Sequence, residues 1–400
     1  MQEIRMATKK LYDEMPYETE FEGRIEELKE SEKGTLLVVL DATLFFPEEG
    51  GQTSDIGTLG DCPVTHVSIE GGVVTHELKG ALGAFKEGDT VKGKIDWGHR
   101  FSNMQNHTAE HILSGLLHKK HQSENKGFHL SDHIVTLDTS KELSDEDLRT
   151  LEEEANEVIW KNLPVTCRYY TSSEIVGMEY RSKKEIEGDI RLVTIPGVDV
   201  CACCAPHVSH TGEIGVIRIV KAERHRGGMR LTILAGKRGY RYLAGMAELA
   251  EGLAENLSVG TDRLYESVKN LMERQEALII RMKNEAAKRL SEQMDKISPE
   301  EKDSVLFTDA VDSIVQRNAV NALAERGKGV CAVFSSDENG GYNFILSYPG
   351  DDARKISMAL KEKLGARGGG SSRRFRLLIF HWPSSRLSTT WYRALCHAGG

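Results

Sequence analysis

Short runs of β-type residues separated by Gly-rich turns occupy the first part of the chain. The clearest runs lie at residues 34–40, 64–69 and 72–78. Such spacing of apolar runs and turns is typical of strands in a small, strongly curved sheet. The pattern predicts a β-barrel-like domain over residues 1–92, with no long helix.

The periodicity changes to that of helices beyond residue 96. Residues 102–120 spread apolar and histidine side chains over one face, and residues 144–162 begin with acidic residues and end before a proline. Four strand patterns follow, at residues 164–170, 190–195, 214–222 and 230–235. The fold class is therefore predicted to be α+β, with an α+β core over residues 93–238.

A long amphipathic seam begins near residue 240. Apolar residues recur at steps of three, four and seven from Leu243 to Met282, and residues 258–262 interrupt the seam. We expect a helical hairpin over residues 239–298, with Ser258 or Thr261 capping the second helix. Such arms space domains or form dimers, so the seam favours a homodimer through this arm or through the domain that follows.

The C-terminal part of the chain divides into two segments. Residues 299–370 predict an α/β domain with strands near 329–335 and 342–348, a helix at 351–364 and a Gly-rich end. Residues 371–400 contain no Asp, Glu or Lys, but five Arg and two of the four Trp in the chain. That composition indicates an anomalous tail read in another frame, and we assign it no function.

Composition is that of a globular protein in a reducing compartment. Apolar residues make up 39% and charged residues 28% of the chain, and no stretch approaches twenty uncharged apolar residues. Three of the seven cysteines cluster at Cys201, Cys203 and Cys204, which is more typical of a metal or thiol site than of a disulfide framework. We interpret Cys201 and Cys204 as structural thiols, and expect a cytoplasmic protein without a membrane partner.

Two pairs of metal-binding residue types are each spaced i, i+4. His107 and His111 fall on one face of the helix predicted over residues 102–120, and Cys203 and His207 form the second pair. Zinc prefers such a mixed set of nitrogen and sulfur donors. The sequence therefore predicts a Zn²⁺ site made by all four residues.

Gln52 and Glu110 are the candidate catalytic residues. Gln52 follows a Gly-Gly turn, and an amide near a metal orients a water or a substrate carbonyl. Glu110 lies in the sequence His107-x-x-Glu110-His111, which also matches the H-x-x-E-H signature of a class of zinc peptidases. In that alternative Glu110 is the general base, and a downstream carboxylate is the third ligand.

A basic run follows the cysteine pair, although the net charge of the chain is −9. Between residues 218 and 241 there are eight basic residues and one acidic residue. A run of this kind attracts a phosphate backbone, and a solvated strand surface gives the same pattern. We interpret the run as an RNA-binding surface formed by Arg218, Lys221, Arg224, Arg226, Arg230, Lys237 and Arg238.

Three motifs together resemble the signatures of alanyl-tRNA editing domains. They are FPEEGGQTSDIG at residues 46–57, NHTAEH at 106–111, and CCAPH at 203–207 followed by TGEIG at 211–215. Their order and spacing are similar to those of freestanding AlaX-type trans-editing proteins. The arm and residues 367–370 resemble the long form of that family, which carries a DHH-associated C-terminal domain. The resemblance covers roughly residues 8–370, and departs from the family at Ala205-Pro206, where many relatives have Gly-Thr, and in the tail.

The resemblance implies a zinc-dependent hydrolase that deacylates tRNA(Ala) carrying serine or glycine. A pocket for alanine rejects these poorly, because one hydroxyl or methyl group supplies only about 1–3 kcal/mol of discrimination. The chain lacks the G-x-x-x-x-G-K-[ST] motif, so a ligase is unsupported; a tRNA-binding module without turnover is the remaining alternative. Implied contacts to the aminoacyl end are Gly50, Gly51, Thr53, Asp55, Thr108 and Pro206. Implied contacts to the tRNA body include Arg367, Gly368 and Gly369.

Overall fold

The computed structural model describes residues 7–32, 34–132, 134–182, 188–298, 300–327, 329–337, 341–364, 367–371 and 374–379. The chain divides into two compact units, Met1–Ala250 and Glu251–Gly400. This boundary falls inside the segment predicted to be a helical hairpin. Among the described helices, none is both long and apolar enough to cross a membrane.

The small barrel or curved sheet expected over residues 1–92 is a closed barrel of six strands. A parallel pair, β1 (Lys9–Lys10) with β4 (Ala42–Thr43), and a short helix, α1 (Leu11–Glu14), accompany it. Fully buried apolar side chains from facing strands, including Val38, Leu59 and Val74, fill its core. The barrel strands are β2 (Glu20–Glu30), β3 (Leu36–Leu40), β5 (Gly57–Leu59), β6 (Cys62–Glu70), β7 (Val73–Leu78) and β8 (Thr90–Ile95), in the ring order β2-β3-β7-β6-β5-β8.

An α+β core follows the barrel in the same unit. Its two helices are α2 (Trp97–His121) and α3 (Asp145–Trp160). Helix α2 begins five residues earlier than predicted, because Asp96 caps it by accepting a hydrogen bond of 3.0 Å from the backbone N–H of His99. Helix α3 begins at a capping box between Ser144 and Asp147. One continuous apolar core lies between these helices and the neighbouring sheets.

Two antiparallel sheets pack around α2. The first has the order β14-β15-β10-β9 and the second the order β11-β12-β13. The sequence analysis missed β9, β10 and β13, because β9 is largely polar and β13 has only four residues. The strands are β9 (Asn125–Leu130), β10 (Val135–Thr139), β11 (Thr166–Tyr170), β12 (Ile190–Ile195), β13 (Asp199–Ala202), β14 (Ile217–His225) and β15 (Gly228–Ala235).

Two long helices follow, α4 (Gly236–Asn256) and α5 (Leu264–Asp295), with a 3-10 turn at Thr261–Arg263 between them. The predicted interruption is therefore present, whereas the predicted cap is wrong. Gly260 is the cap residue of the 3-10 turn and Arg263 that of α5, and neither position has a capping side-chain hydrogen bond. Ser258 instead has a left-handed backbone, with φ of 53°. Packing of the two helices as a hairpin stays a prediction.

The second unit contains a five-stranded sheet in the order β16-β17-β18-β20-β19, in which only the β16–β17 pair is parallel. Apolar clusters lie against it, one with α6 and the end of α5 and one with the start of α7. Part of the predicted tail, residues 374–379, pairs in this sheet; residues 380–400 lie outside the described residues. The elements are β16 (Ser304–Thr308), α6 (Ser313–Arg326), β17 (Cys331–Ser336), β18 (Tyr342–Ser347), α7 (Ala353–Leu364), β19 (Arg367–Ser371) and β20 (Arg374–Ile379).

A fully buried ion pair ties the loop after β4 to helix α2. Arg100 Nε lies 3.1 and 3.0 Å from the two carboxylate oxygens of Asp55, and both side chains are 0% exposed. Arg100 also donates to the carbonyl oxygens of Pro16 and Leu44, and the Phe46 N–H donates to Asp55. The expectation that Asp55 contacts substrate is therefore wrong: its carboxylate is enclosed and serves the fold.

We predict that Asp55→Ala lowers the free energy of unfolding of the first unit by about 3–5 kcal/mol, because the substitution leaves the Arg100 charge buried without its partner. Urea denaturation of the full chain measures the effect. Glu20→Gln is the control, because Glu20 pairs with Lys94 on the surface and both side chains are largely exposed; it should leave the unfolding curve nearly unchanged. An Asp55→Ala protein as stable as the wild type contradicts the prediction.

Candidate metal centre

The four predicted metal ligands converge at one point in the first unit. His107 and His111 project from α2, and Cys203 and His207 come from the loop that follows β13. One ligand atom of each lies within 4.8 Å of those of the others. The Cys203 Sγ atom lies 3.6 Å from His107 Nε2 and 3.4 Å from His207 Nε2. The three histidines are buried, and Cys203 is partly exposed.

Each of the three imidazoles is held at its Nδ1 atom by a neighbouring side chain. This leaves each Nε2 atom available for a metal and fixes the plane of the ring. The holding groups are Gln52 Oε1 on His107 at 2.8 Å, Asp199 Oδ2 on His111 at 2.9 Å, and Thr108 Oγ1 on His207 at 3.0 Å.

The donor set fits zinc. A sulfur and a nitrogen bound tetrahedrally to one zinc ion lie about 3.6 Å apart, close to the two sulfur–nitrogen distances here. Burial raises the pKa of Cys203, but the neighbouring His107 and His207 outweigh it, so the pKa lies well below its usual value. Burial lowers the pKa of His207 to about 3. A thiolate and a neutral imidazole are the forms that bind a metal.

A second group of ligand-type side chains, His111, Asp199 and Cys201, adjoins the first. Arg181 already pairs with Asp199, with Nε 2.8 Å from Oδ1 and Nη2 2.8 Å from Oδ2. Burial raises the pKa of Asp199, but hydrogen bonds from His111 and Arg181 outweigh it and lower the pKa to about 2. Asp199 is thus a charge-compensated carboxylate that orients His111, rather than a ligand of a second cation.

Sequence reasoning missed both Asp199 and Arg181. The peptidase alternative expected a downstream carboxylate as the third metal ligand, whereas Asp199 contacts the Nδ1 atom of His111. A carboxylate two residues before Cys201, on the same face of a strand, was the only sequence signal for it.

The catalytic candidates Gln52 and Glu110 both lie at the centre. The Oε1 atom of Gln52 is occupied by His107, so this side chain positions a ligand. Glu110 is 3% exposed, and its Oε1 atom accepts hydrogen bonds from Ser114 Oγ, at 2.6 Å, and from Asn125. Its Oε2 atom lies 4.0 Å from His111 Nε2.

The Gly50-Gly51 turn brings the loop after β4 against strand β9. Gly51 has φ of +84°, and a Cβ atom on it would lie 2.3 Å from the carbonyl oxygen of Phe128, so the position requires glycine. Leu130 N–H donates to Gly51 O at 2.7 Å, and Thr53 N–H donates to Leu130 O at 3.0 Å. These contacts fix the turn that precedes and includes Gln52.

A cavity of about 620 Å³ opens on the centre. Among the residues expected to contact the aminoacyl end, Gly50 and Gly51 line it. Thr108 is fully buried and holds His207, so the expectation that it contacts substrate is wrong. The same holds for Asp55, which is also fully buried. Pro206 is buried, and Thr53 is partly buried with its hydroxyl shielded from solvent.

The basic run lies mainly on the hairpin of β14 and β15, and acidic neighbours neutralise much of it. Burial lowers the pKa of Arg238, which donates to Ser102 and Asn103. Arg226, at the hairpin turn, and Lys237 are exposed. The ion pairs are Arg218–Glu152, Lys221–Glu223 at 2.7 Å, Arg224–Glu142 at 3.2 Å and Arg230–Asp138 at 2.7 Å. The positive surface is therefore smaller than the sequence indicates.

The remaining predicted tRNA contacts, Arg367, Gly368 and Gly369, lie in β19 at the edge of the C-terminal sheet. They belong to the second unit. Their role stays a prediction.

Two segments of the first unit match known families of tRNA synthetase domains. Residues 2–99, which include the barrel, match the family described as "tRNA synthetases class II (A)". Residues 190–231, which include Cys203 and His207, match the "Threonyl and Alanyl tRNA synthetase second additional domain".

The chain is also similar over most of its length to alanine–tRNA ligases. The chain is 34% identical to an alanine–tRNA ligase of Methanococcus maripaludis over 280 residues, which are 66% of this chain and 30% of the relative. It is 31% identical to that of Pyrococcus abyssi over 388 residues, 92% of this chain and 41% of the relative. The chain therefore carries domains of the alanyl-tRNA synthetase type, as the AlaX-type resemblance implied, and spans less than half the length of these relatives.

We predict that the purified protein binds one zinc ion per chain and that Cys203→Ala or His111→Ala abolishes binding. Cys203→Ala removes the thiolate ligand and its charge, and His111→Ala removes a nitrogen ligand, so each variant keeps only three of the four ligands. Mass spectrometry of the metal content, after dialysis, measures the stoichiometry. Cys62→Ser, in barrel strand β6, is the matched control and should keep its zinc.

We also predict that Gln52→Ala and Asp199→Ala weaken zinc affinity by about 10- to 100-fold without removing a ligand, because each frees an imidazole that the native side chain holds. Competition with a chromogenic chelator measures the affinity. Unchanged zinc affinity in both variants contradicts the positioning role.

Proposed function

We propose that the protein is a trans-editing hydrolase that deacylates tRNA(Ala) carrying serine or glycine. The observation that carries the proposal is the convergence of His107, His111, Cys203 and His207 at a cavity of about 620 Å³. That volume is in the range of small-molecule sites and accommodates an aminoacyl group on a terminal adenosine. Similarity to alanine–tRNA ligases supports tRNA(Ala) as the carrier.

The four ligands would hold Zn²⁺, which supplies positive charge to polarise or anchor the aminoacyl end. A set of four protein ligands favours anchoring over activation of a water. Gln52, Thr108 and Asp199 keep the imidazoles in place, so the centre needs little reorganisation when the ester binds.

Arg191 fixes the loop that carries the cysteine ligand. Its Nη1 atom donates to the carbonyl oxygens of Cys203, at 2.8 Å, and Ala205, at 2.9 Å. The guanidinium is nearly buried and lines the cavity. Arg191 therefore sets the backbone of the loop on the wall that the substrate would meet.

In this proposal, two surfaces of the protein bind the tRNA. In the first unit, exposed Arg226 and Lys237 supply charge for the phosphate backbone. In the second, residues 299–370 form the DHH-associated domain of the proposal, and Arg367 with the glycines after it contacts the tRNA body. Residues 93–238 are the editing domain, and we place the protein in the cytoplasm.

A homodimer through the helical arm, residues 239–298, or through the C-terminal domain is part of the proposal. Helix α5 exposes large apolar side chains at helical spacing, and such patches mark association surfaces. Tyr265 is 78% exposed, Leu271 55% and Met272 65%.

The deciding experiment measures release of serine from seryl-tRNA(Ala) by the full chain. We expect metal-dependent release from the mischarged tRNA and none from alanyl-tRNA(Ala). Cys203→Ala and treatment with a chelator should each reduce the rate by at least about 100-fold, since both remove the metal that the reaction requires. The control variant Cys62→Ser should retain the wild-type rate.

Two outcomes contradict the proposal. Tight binding of tRNA without release of serine would indicate a binding module. Cleavage of peptides, lost in Glu110→Gln, would instead support the peptidase alternative.

A further inference from the structure

Six charged side chains line the cavity, and three of them, Glu110, Arg181 and Arg191, are held by partners within the protein. Arg181 pairs with Asp199, and Arg191 donates to two backbone carbonyl groups. Glu110 accepts hydrogen bonds from Ser114 and Asn125. Of the others, Asp189 is exposed to solvent and Lys10 is partly exposed.

Glu49 differs from the other described carboxylates of this wall in having an unpartnered oxygen that is shielded from solvent. Its Oε2 atom is shielded from solvent and has no hydrogen-bond partner among the residues that the structure describes. A buried acceptor without a donor costs free energy, about 1–3 kcal/mol and more for a charged group. A buried polar atom in this state therefore calls for a ligand that supplies the donor.

The position of Glu49 places this acceptor beside the metal centre. Glu49 begins the Gly50-Gly51 turn, where its carbonyl oxygen accepts from Gln52 N–H at 3.1 Å. Cys204 lies across the turn, because a Cβ atom on Gly50 would lie 3.6 Å from Cys204 Sγ. The carboxylate thus adjoins the loop of the Cys203 ligand.

The proposed substrate carries one cationic donor. An aminoacyl ester has a free α-ammonium group, whereas its ribose and any side-chain hydroxyl are neutral donors. A carboxylate pairs more strongly with an ammonium than with a hydroxyl, because both partners of the hydrogen bond are then charged. A shielded carboxylate oxygen without a donor therefore favours a cationic donor over a neutral one.

We propose that Glu49 binds the α-ammonium group of the aminoacyl ester, so that the site accepts free aminoacyl esters and rejects N-acylated ones. The proposal rests on the proposed editing function, which it deepens by defining the substrate class. The contact is common to serine, glycine and alanine esters and does not discriminate among them. It excludes peptidyl and formylated esters, whose nitrogen is a neutral amide.

Binding of stable 3′-amide analogues tests this, because they lack the ester bond that an editing enzyme cleaves. The two main probes are 3′-(L-seryl)amino-3′-deoxyadenosine and its 3-hydroxypropionyl counterpart, which keeps the side-chain hydroxyl but has no amine. The N-acetyl derivative of the first is the third probe. Calorimetry on the zinc-loaded full chain measures each dissociation constant.

We expect the wild type to bind the amine probe at least about 10-fold more tightly than the two probes without a free amine. In Glu49→Gln, a near-isosteric change, that ratio should fall to about 1. The matched control is Glu48→Gln, because Glu48 is the adjacent residue but its side chain is 59% exposed and lies near His66. Glu48→Gln should keep the wild-type ratio.

Three results overturn the inference. They are a wild type without preference for the amine, a Glu49→Gln protein that keeps the preference, and an equal loss of affinity for all probes in Glu49→Gln. The third would assign Glu49 to the ribose or to the fold.

Hydrolysis of seryl-tRNA(Ala) by the same preparations separates the two proposals. Hydrolysis by the wild type with an unchanged probe ratio in Glu49→Gln leaves the editing function standing and refutes the role of Glu49. Absence of hydrolysis refutes the editing function, and the probe ratio still decides whether Glu49 binds an ammonium group.

Discussion

The metal centre depends on hydrogen bonds to the Nδ1 atoms of three buried histidines. An imidazole that is free to rotate presents its Nε2 atom in many directions. A metal that bound it would have to fix the ring in one orientation, and this lowers the binding affinity. Gln52, Thr108 and Asp199 remove that freedom. They come from the glycine turn, from α2 itself and from β13, so the centre forms only when barrel, helix and sheet have packed together.

Charge balance explains how such a centre is tolerated in a buried position. The Cys203 thiolate, the Asp199 carboxylate and the Arg181 guanidinium lie close together, and each would be costly alone. Arg181 neutralises Asp199, and the neighbouring His107 and His207 lower the pKa of Cys203. With a divalent cation added, the thiolate also gains a partner. By contrast, the shielded Oε2 atom of Glu49 has no hydrogen-bond partner among the described residues.

Two contacts link the barrel to the site. The Asp55–Arg100 pair anchors the loop after β4 to α2, and the close approach of Gly51 to Phe128 anchors the same loop to β9. Gln52 lies between these anchors in the sequence. The motif around residues 46–57 is thus largely a structural device that places one amide and one carboxylate beside the metal ligands, and only a few of its side chains face the cavity.

The sequence alone determined the elements with strong periodicity and the four ligands, because i, i+4 spacing on a helix is a local property. It assigned Asp55 and Thr108 to substrate, missed Asp199 and Arg181, and overestimated the free charge near Arg230. Each error concerns a partner distant in the chain: Asp55 pairs with Arg100, Thr108 with His207, Asp199 with His111 and Arg181, and Arg230 with Asp138. Residue type and spacing indicate which chemical groups are available and which of them lie on one face of an element. Only tertiary packing decides whether a neighbour has already taken the hydrogen bond or the charge, because those partners are brought together by folding and not by sequence distance.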